Sequence, residues 1–288
     1  MPALERYQAG EVTLLSDARV AGGVSFAFTE RAGGVSAAPY ASLNLGDACG
    51  DDARAVAENR RRALAALGAE HLAGRLVNPR QVHGDAVVRV TSGDDAAVRA
   101  ACEEARAGAD AVVCTAPGVP VLLCFADCVP VVLTCEAGFA VVHSGWRGTM
   151  ARIVAKAAQA LCEQAQVTPD ALRAYVGPHI LAQDYEVSAE LAARFAEEFG
   201  PGVVRGERNL DLSAALAVTL ADAGVPAGSV AWCEDSTASS TVRFFSYRAE
   251  GGTCGRHGAL AVMGGEDLTW EPLRAEGSQD TGREASTR

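Results

Sequence analysis

Four apolar runs follow one another almost without pause, at residues 109–114, 119–125, 129–133 and 139–142. Each is too short for an ordinary helix, and Val and Leu dominate, so each reads as a strand. The third and fourth runs lack the alternation of a half-exposed strand and read as buried on both faces. What interrupts them is the informative part. Asp127 and Cys128 precede the third run, and His143, Trp146 and Arg147 follow the fourth. Strand ends are where α/β proteins place sites, so an acid, a thiol, an imidazole and a guanidinium there call for a chemical explanation.

The rest of the pattern alternates and clusters. Strands are expected at 24–28, 85–90, 172–176, 230–232, 242–245 and 259–263. Helices are expected at 52–67 (capped by Asp51), 94–106, 148–164, 188–199 and 210–223, and residues 31–46 read as a loop. Strands that both alternate with helices and cluster imply a mixed α/β (α+β) fold, with mixed sheets flanked by helices rather than a doubly wound parallel sheet. A single catalytic domain over 1–270 and a polar, disordered tail at 271–288 are expected.

Composition narrows the function classes. The net charge of −11 argues against a general nucleic-acid binder, though not against a local basic pocket. No apolar run reaches membrane-spanning length, and the first residues lack the basic-then-apolar pattern of a secretory signal; a cytoplasmic location away from the membrane is expected. The nine cysteines include no paired CxxC knuckles and read mostly as reduced core residues.

His83 in "NPRQVHG", Cys128 in "ADCVP" and His143 in "VVHSGWRG" form a three-ligand set suited to zinc, with a fourth position left open as catalytic zinc requires. The same residues allow a metal-free reading, with Cys128 as nucleophile and His143 as its base. A third reading is a non-catalytic zinc protein, closed by Cys124 as fourth ligand. "HSGWRGT" opens a helix, and Arg147 within it is a candidate phosphate contact. Arg60 falls on the apolar stripe of helix 52–67 with Val56, Leu64 and Leu67, so its guanidinium needs an anion. No Walker loop and no dinucleotide glycine motif are present.

Seven segments, in order from about residue 24 to 263, carry a family resemblance: "TERAGGVSAAPYASLNLG", "DDARAVAENRRRAL", "RQVHGDAVV", "GADAVVCTAPGVPVLLCFADCVPVVL", "FAVVHSGWRGT", "YVGPHI…YEV" and "FFSYR…TCGRHGALAVM". Together they resemble the multicopper polyphenol oxidase, or laccase-domain, family, also described as purine nucleoside phosphorylases and peptidoglycan editing factors. The resemblance implies a cysteine-hydrolase-like mixed α/β fold, a metal triad at His83, Cys128 and His143, and nucleoside contacts at Asn44 and Arg60. It implies phosphorolysis of adenosine, inosine and methylthioadenosine with phosphate as co-substrate, and adenosine deamination beside it. Asp127 would manage a proton. The editing description implies instead a Cys–His amide hydrolase acting on UDP-muramyl precursors. The oxidase description needs several coppers, for which five histidines and no His-x-His pair are a poor supply. Two segments depart from the family pattern, "LAQDYEV" and "TCGRHG", and neither touches the triad.

Overall fold

The computed structural model describes residues 1–20 and 22–273. The strands in chain order are β1 (Glu5–Ala9), β2 (Val12–Ser16), β3 (Val24–Thr29), β4 (Val87–Val90), β5 (Ala111–Cys114), β6 (Val121–Phe125), β7 (Val129–Cys135), β8 (Gly138–Ser144), β9 (Arg173–Val176), β10 (Val204–Arg205), β11 (Asn209–Leu210), β12 (Val230–Trp232), β13 (His257–Met263) and β14 (Glu271–Pro272). The helices are α1 (Ala53–Ala66), α2 (Asp95–Ala107), α3 (Trp146–Met150), α4 (Ile153–Ala165), α5 (Ala189–Phe199) and α6 (Leu212–Asp222).

Two six-stranded sheets organise the chain. The first runs β14-β1-β2-β3-β13-β6 and is antiparallel throughout. The second runs β12-β9-β7-β8-β5-β4 and is mixed, because its outer pairs β12/β9 and β4/β5 are parallel. The four closely spaced runs are split between them: β6 belongs to the first sheet, and β5, β7 and β8 to the second.

Side-chain parity explains why these strands are apolar on both faces. In β8, Phe139 and Val141 join a core that also holds Phe26, Phe28, Leu123 and Phe125 of the first sheet. Ala140 and Val142 point the other way, into a core built with Ile153, Ala157, Phe195 and Leu216 from α4, α5 and α6. The outer face of the first sheet, with Leu14, Leu122 and Leu260, packs on Ala63 and Leu64 of α1. Val98, Ala101 and Ala105 of α2 join the layer between the sheets. The result is helix, sheet, sheet, helix, with every strand face at the centre covered.

Several sequence expectations shift. Asp52, not Asp51, caps α1, accepting from the amides of Arg54 and Ala55, while the Asp51 carboxylate is taken by Ser36 and Asn44. The expected helix 148–164 breaks into α3 and α4 at Arg152, whose φ is 56°. Arg152 pairs there with Glu198 and Asp222 and lies over the Phe199 ring, which ties the break to α5 and α6. Residues 242–245 form a turn instead of a strand. Phe244 and Phe245 are consecutive and both fully buried, which a strand's alternation does not give with one face exposed, and Arg243 is drawn into ion pairs with Glu30 and Asp235. The β1–β2 hairpin was not anticipated. Glu271 and Pro272, placed at the start of the expected tail, pair with β1, and the rest of that expectation, 274–288, lies outside the described residues.

Phe139 has no exposed surface and sits between the sheets. Phe139→Ala is expected to cost about 3–5 kcal/mol of folding stability. Urea unfolding checks it; a loss below about 1 kcal/mol would mean that the inter-sheet layer does not hold the fold as described.

Candidate metal centre and its cavity

The parity that buries Phe139 and Val141 also points His143, the next residue on that face of β8, into the layer between the sheets. Residues 126–128 are the link by which the chain leaves β6 in one sheet and enters β7 in the other. Cys128 ends that link. His83 arrives from the segment before β4. One ligand atom from each of His83, Cys128 and His143 lies within 4.8 Å of the others, with Cys128 Sγ 3.9 Å from His83 Nδ1. Among the described residues this is the single cluster of three or more such ligands.

Asp110, for which the sequence offered no role, ties the cluster together. Its carboxylate is fully buried just before β5. It accepts the amides of Val82, His83 and Gly84 at 3.2, 3.0 and 2.7 Å, and meets Nδ1 of His143 at 2.7 Å. The ionised carboxylate can only accept, so His143 donates from Nδ1 and leaves Nε2 for the cluster. The three amides hold His83 in a left-handed conformation, φ 56°, that a non-glycine residue adopts only when its surroundings fix it. The signal in the sequence was an acid inside "GADAVV", where a buried carboxylate must find donors.

The electrostatics follow from this geometry. Burial would push the Cys128 thiol up, but the His143 charge and hydrogen bonds from both imidazoles outweigh it and bring the thiol down to about 6. Burial would lower His143, but the Cys128 thiolate and Asp110 outweigh it and raise the imidazole to about 9. Asp110 is held below the usual carboxylate range: its burial is outweighed by His143 and the backbone amides. Without metal, the pair is thiolate and imidazolium between about pH 6 and 9.

The donor set fits zinc: two imidazoles, a thiolate that is already ionised, and one ring oriented by a carboxylate. Gly145 supplies a second indication. A Cβ there would stand 3.0 Å from both Cys128 Sγ and His83 Nδ1, so the missing side chain keeps the space beside the ligands open. Cys124 does not belong to the set. It lies on the opposite face of β6 from Phe125, against the core under α1, and its thiol points to the Leu45 carbonyl at 3.4 Å; burial pushes it up to about 11. The expected fourth ligand is therefore absent, and the closed structural site loses its basis.

The triad opens on a cavity of about 1040 Å³, lined also by Asp47, Gln81, Asp127, Tyr185, Tyr247, Arg248 and Arg256. Asp127, at φ 86°, is held by Thr237 Oγ1 at 2.7 Å and the Arg248 amide at 2.7 Å. The other candidates are not on this wall. Asn44 is fully buried and all its polar atoms are engaged: Nδ2 with Gly46, Cys49 and Asp51, Oδ1 with the amides of Gly46 and Arg256. Arg60 points inward as expected, but its anion is Asp47, 3.3 Å away, and its Nε donates to Leu45. Both residues fix the loop that borders the cavity. Arg147 is exposed, lies over the Trp146 ring at 4.5 Å and is not among the lining residues.

Gly145→Ala fills the space beside Cys128 and His83. It is expected to lower zinc affinity at least about tenfold while leaving the fold intact. Competition with a chromogenic chelator reads the affinity; an unchanged value would show that the space beside Gly145 is not needed for metal.

Comparison with known proteins agrees with this architecture. The family model described as multi-copper polyphenol oxidoreductase laccase matches residues 25–264. A Deinococcus radiodurans protein named purine nucleoside phosphorylase is 40% identical over 242 residues, covering 82% of this chain and 88% of the relative. Adenosine deaminase RL5, from an unknown prokaryotic organism, is 34% identical over 75% of this chain and 85% of its own length. The crystal structure of YlmD from Geobacillus stearothermophilus superposes with a TM-score of 0.80 at 28% identity, over 91% of this chain and 100% of that one. With most of its length matched by the family model and by a relative of this similarity, the chain belongs to the multi-copper polyphenol oxidoreductase laccase family.

Proposed function

We propose that the protein is a zinc-dependent enzyme of purine nucleosides, cleaving adenosine, inosine and methylthioadenosine with phosphate and deaminating adenosine. One observation carries the reading: a three-ligand set with an open side, facing a cavity large enough for a nucleoside and phosphate together. The names of the relatives support the substrate class. Copper oxidase chemistry is not supported, because the described residues hold one ligand cluster where several coppers would need several. The remaining histidines lie elsewhere: His71 is exposed near Glu266, His179 bonds Gly177 and Ser213, and His257 is buried beside Phe125 and Phe244.

Zinc bound here would supply a Lewis acid and ease the deprotonation of a water. In phosphorolysis, a phosphate oxygen bonds to the anomeric carbon of ribose. The glycosidic bond breaks with its electron pair going to the purine, and a proton must reach the purine nitrogen. Asp127 is assigned to passing that proton on from the hydroxyl of the attacking hydrogen phosphate: it lines the cavity and its orientation is fixed by Thr237 and the Arg248 amide. In deamination, water adds at the ring carbon bearing the amine and ammonia leaves. Phe125, Tyr185 and Tyr247 line the cavity as candidates to stack on the base, and Asp47, on the bordering loop, is a candidate contact for the sugar.

Zinc-loaded protein given adenosine and phosphate is expected to yield adenine, ribose 1-phosphate and inosine. His143→Ala should lower all three by about 100-fold or more, since several kcal/mol of transition-state stabilisation is removed. Chromatographic product analysis decides it; a zinc-loaded protein that forms neither adenine nor inosine refutes the reading.

The thiolate–imidazolium pair favours a second reading, an amide hydrolase of muramyl precursors with Cys128 as nucleophile and His143 as proton shuttle. The two readings differ in what zinc does to the thiol. In metal-free protein, alkylation of Cys128 by iodoacetamide is expected to be half-maximal near pH 6, with reactivity lost as pH falls through that value. Zinc should abolish alkylation at pH 7 if the sulfur is a metal ligand. Mass spectrometry reads the adduct; undiminished alkylation in zinc-loaded protein, with cleavage of a muramyl-serine precursor, would favour the hydrolase.

A further inference from the structure

The chain is strongly acidic, yet four arginines line the reaction cavity, Arg80, Arg106, Arg248 and Arg256, against two aspartates, Asp47 and Asp127. The aspartates are already engaged. Asp47 faces Arg60 and Arg106, both at 3.3 Å, and Asp127 accepts from Thr237 and the Arg248 amide. Arg80 spends Nε and Nη2 on the last carbonyls of α2, those of Arg106 and Ala107. Arg248 and Arg256 differ. Arg248 uses only Nη1, donating to the Glu186 carbonyl at 3.1 Å. Arg256 also uses only Nη1, towards Cys254 and Gly255. Among the described residues, the Nε–Nη2 edge of both guanidinium groups is left without a protein acceptor, and neither group has a carboxylate partner. That edge is the fork that matches two oxygens of a phosphoryl group.

Both guanidinium groups are also held in place. Arg248 lies 5.2 Å from the Tyr185 ring centroid and Arg256 5.8 Å from that of Tyr247. The Arg248 amide is bonded to Asp127 and the Arg256 amide to Asn44, so each backbone is tied to a residue beside the site. Anchoring by one nitrogen and a ring face lowers the ordering cost of presenting the open edge.

We propose that Arg248 and Arg256 form an anion subsite of the cavity, which takes the phosphoryl group of a reactant. Inorganic phosphate as its occupant rests on the phosphorolysis reading. The subsite itself rests on the open guanidinium edges and would equally take the phosphate ester of a nucleotide. It replaces Arg147, which is exposed and not among the residues lining the cavity, and Arg60, whose anion is Asp47.

The test is calorimetric titration of the zinc-loaded protein with inorganic phosphate and, separately, with adenosine 5′-monophosphate. Arg248→Gln and Arg256→Gln are each expected to weaken binding at least tenfold, and the lysine variants to recover only part of it. Arg147→Gln should bind as the parent protein does. Zinc content and melting temperature of each variant show that the fold is kept, and a glutamine variant that unfolds is replaced by its lysine counterpart in the same titration. Arginine-dependent binding of inorganic phosphate supports the subsite with free phosphate as occupant. Arginine-dependent binding of the monophosphate alone supports it with an ester as occupant. Binding that survives in the double glutamine variant, loss in Arg147→Gln, or no binding of either probe overturns it. A protein that binds phosphate through these arginines but does not cleave adenosine would keep the subsite and reject phosphorolysis.

Discussion

Asp110 is the group on which the site depends. A carboxylate without exposed surface is costly unless it is fully hydrogen-bonded, and this one receives three consecutive amides and an imidazole. Those bonds join the segment before β4 to the end of β8, and so join His83 to His143. They also decide the tautomer of His143 and thereby which nitrogen faces Cys128. Loss of the carboxylate would leave buried donors unpaired at both ends, so loop, strand end and ligand orientation would fail together.

The third ligand comes from topology. Cys128 lies in the three-residue passage between the two sheets, where the backbone turns too sharply for regular structure and Asp127 is driven to positive φ. The site therefore sits at a seam: one wall from the sheet with β6 and β13, the other from the sheet with β7 and β8. Its contents run against the global charge. The acidic chain keeps itself away from polyanions in general, while the cavity gathers arginines whose carboxylate partners are few.

The helices and central strands were legible because periodicity and apolar runs record burial directly, and the triad because Cys128 and His143 break apolar runs at their ends. What escaped had a physical reason in each case. Asp110 passed as an ordinary strand residue: an acid beside an apolar run calls for donors, but nothing local shows that these are the amides of Val82, His83 and Gly84. Arg60 was read as inward, which it is, but only the fold shows that Asp47 meets it. The segment at 242–245 resembled a strand because two adjacent phenylalanines mimic an apolar run, and only the ion pairs of Arg243 reveal a turn. The β1–β2 hairpin begins "ERYQA", too polar to stand out, because its strand lies towards the sheet edge with two residues exposed.

His83, Cys128 and His143 are proposed to hold one zinc ion and to leave a position open. X-ray absorption at the zinc edge of the purified protein tests this most directly. One zinc per chain is expected, with a single sulfur at about 2.3 Å, two imidazole nitrogens at about 2.0–2.1 Å and one further light-atom neighbour from solvent. Two sulfur ligands, a signal from several coppers, or an ion bound without the thiolate would contradict it.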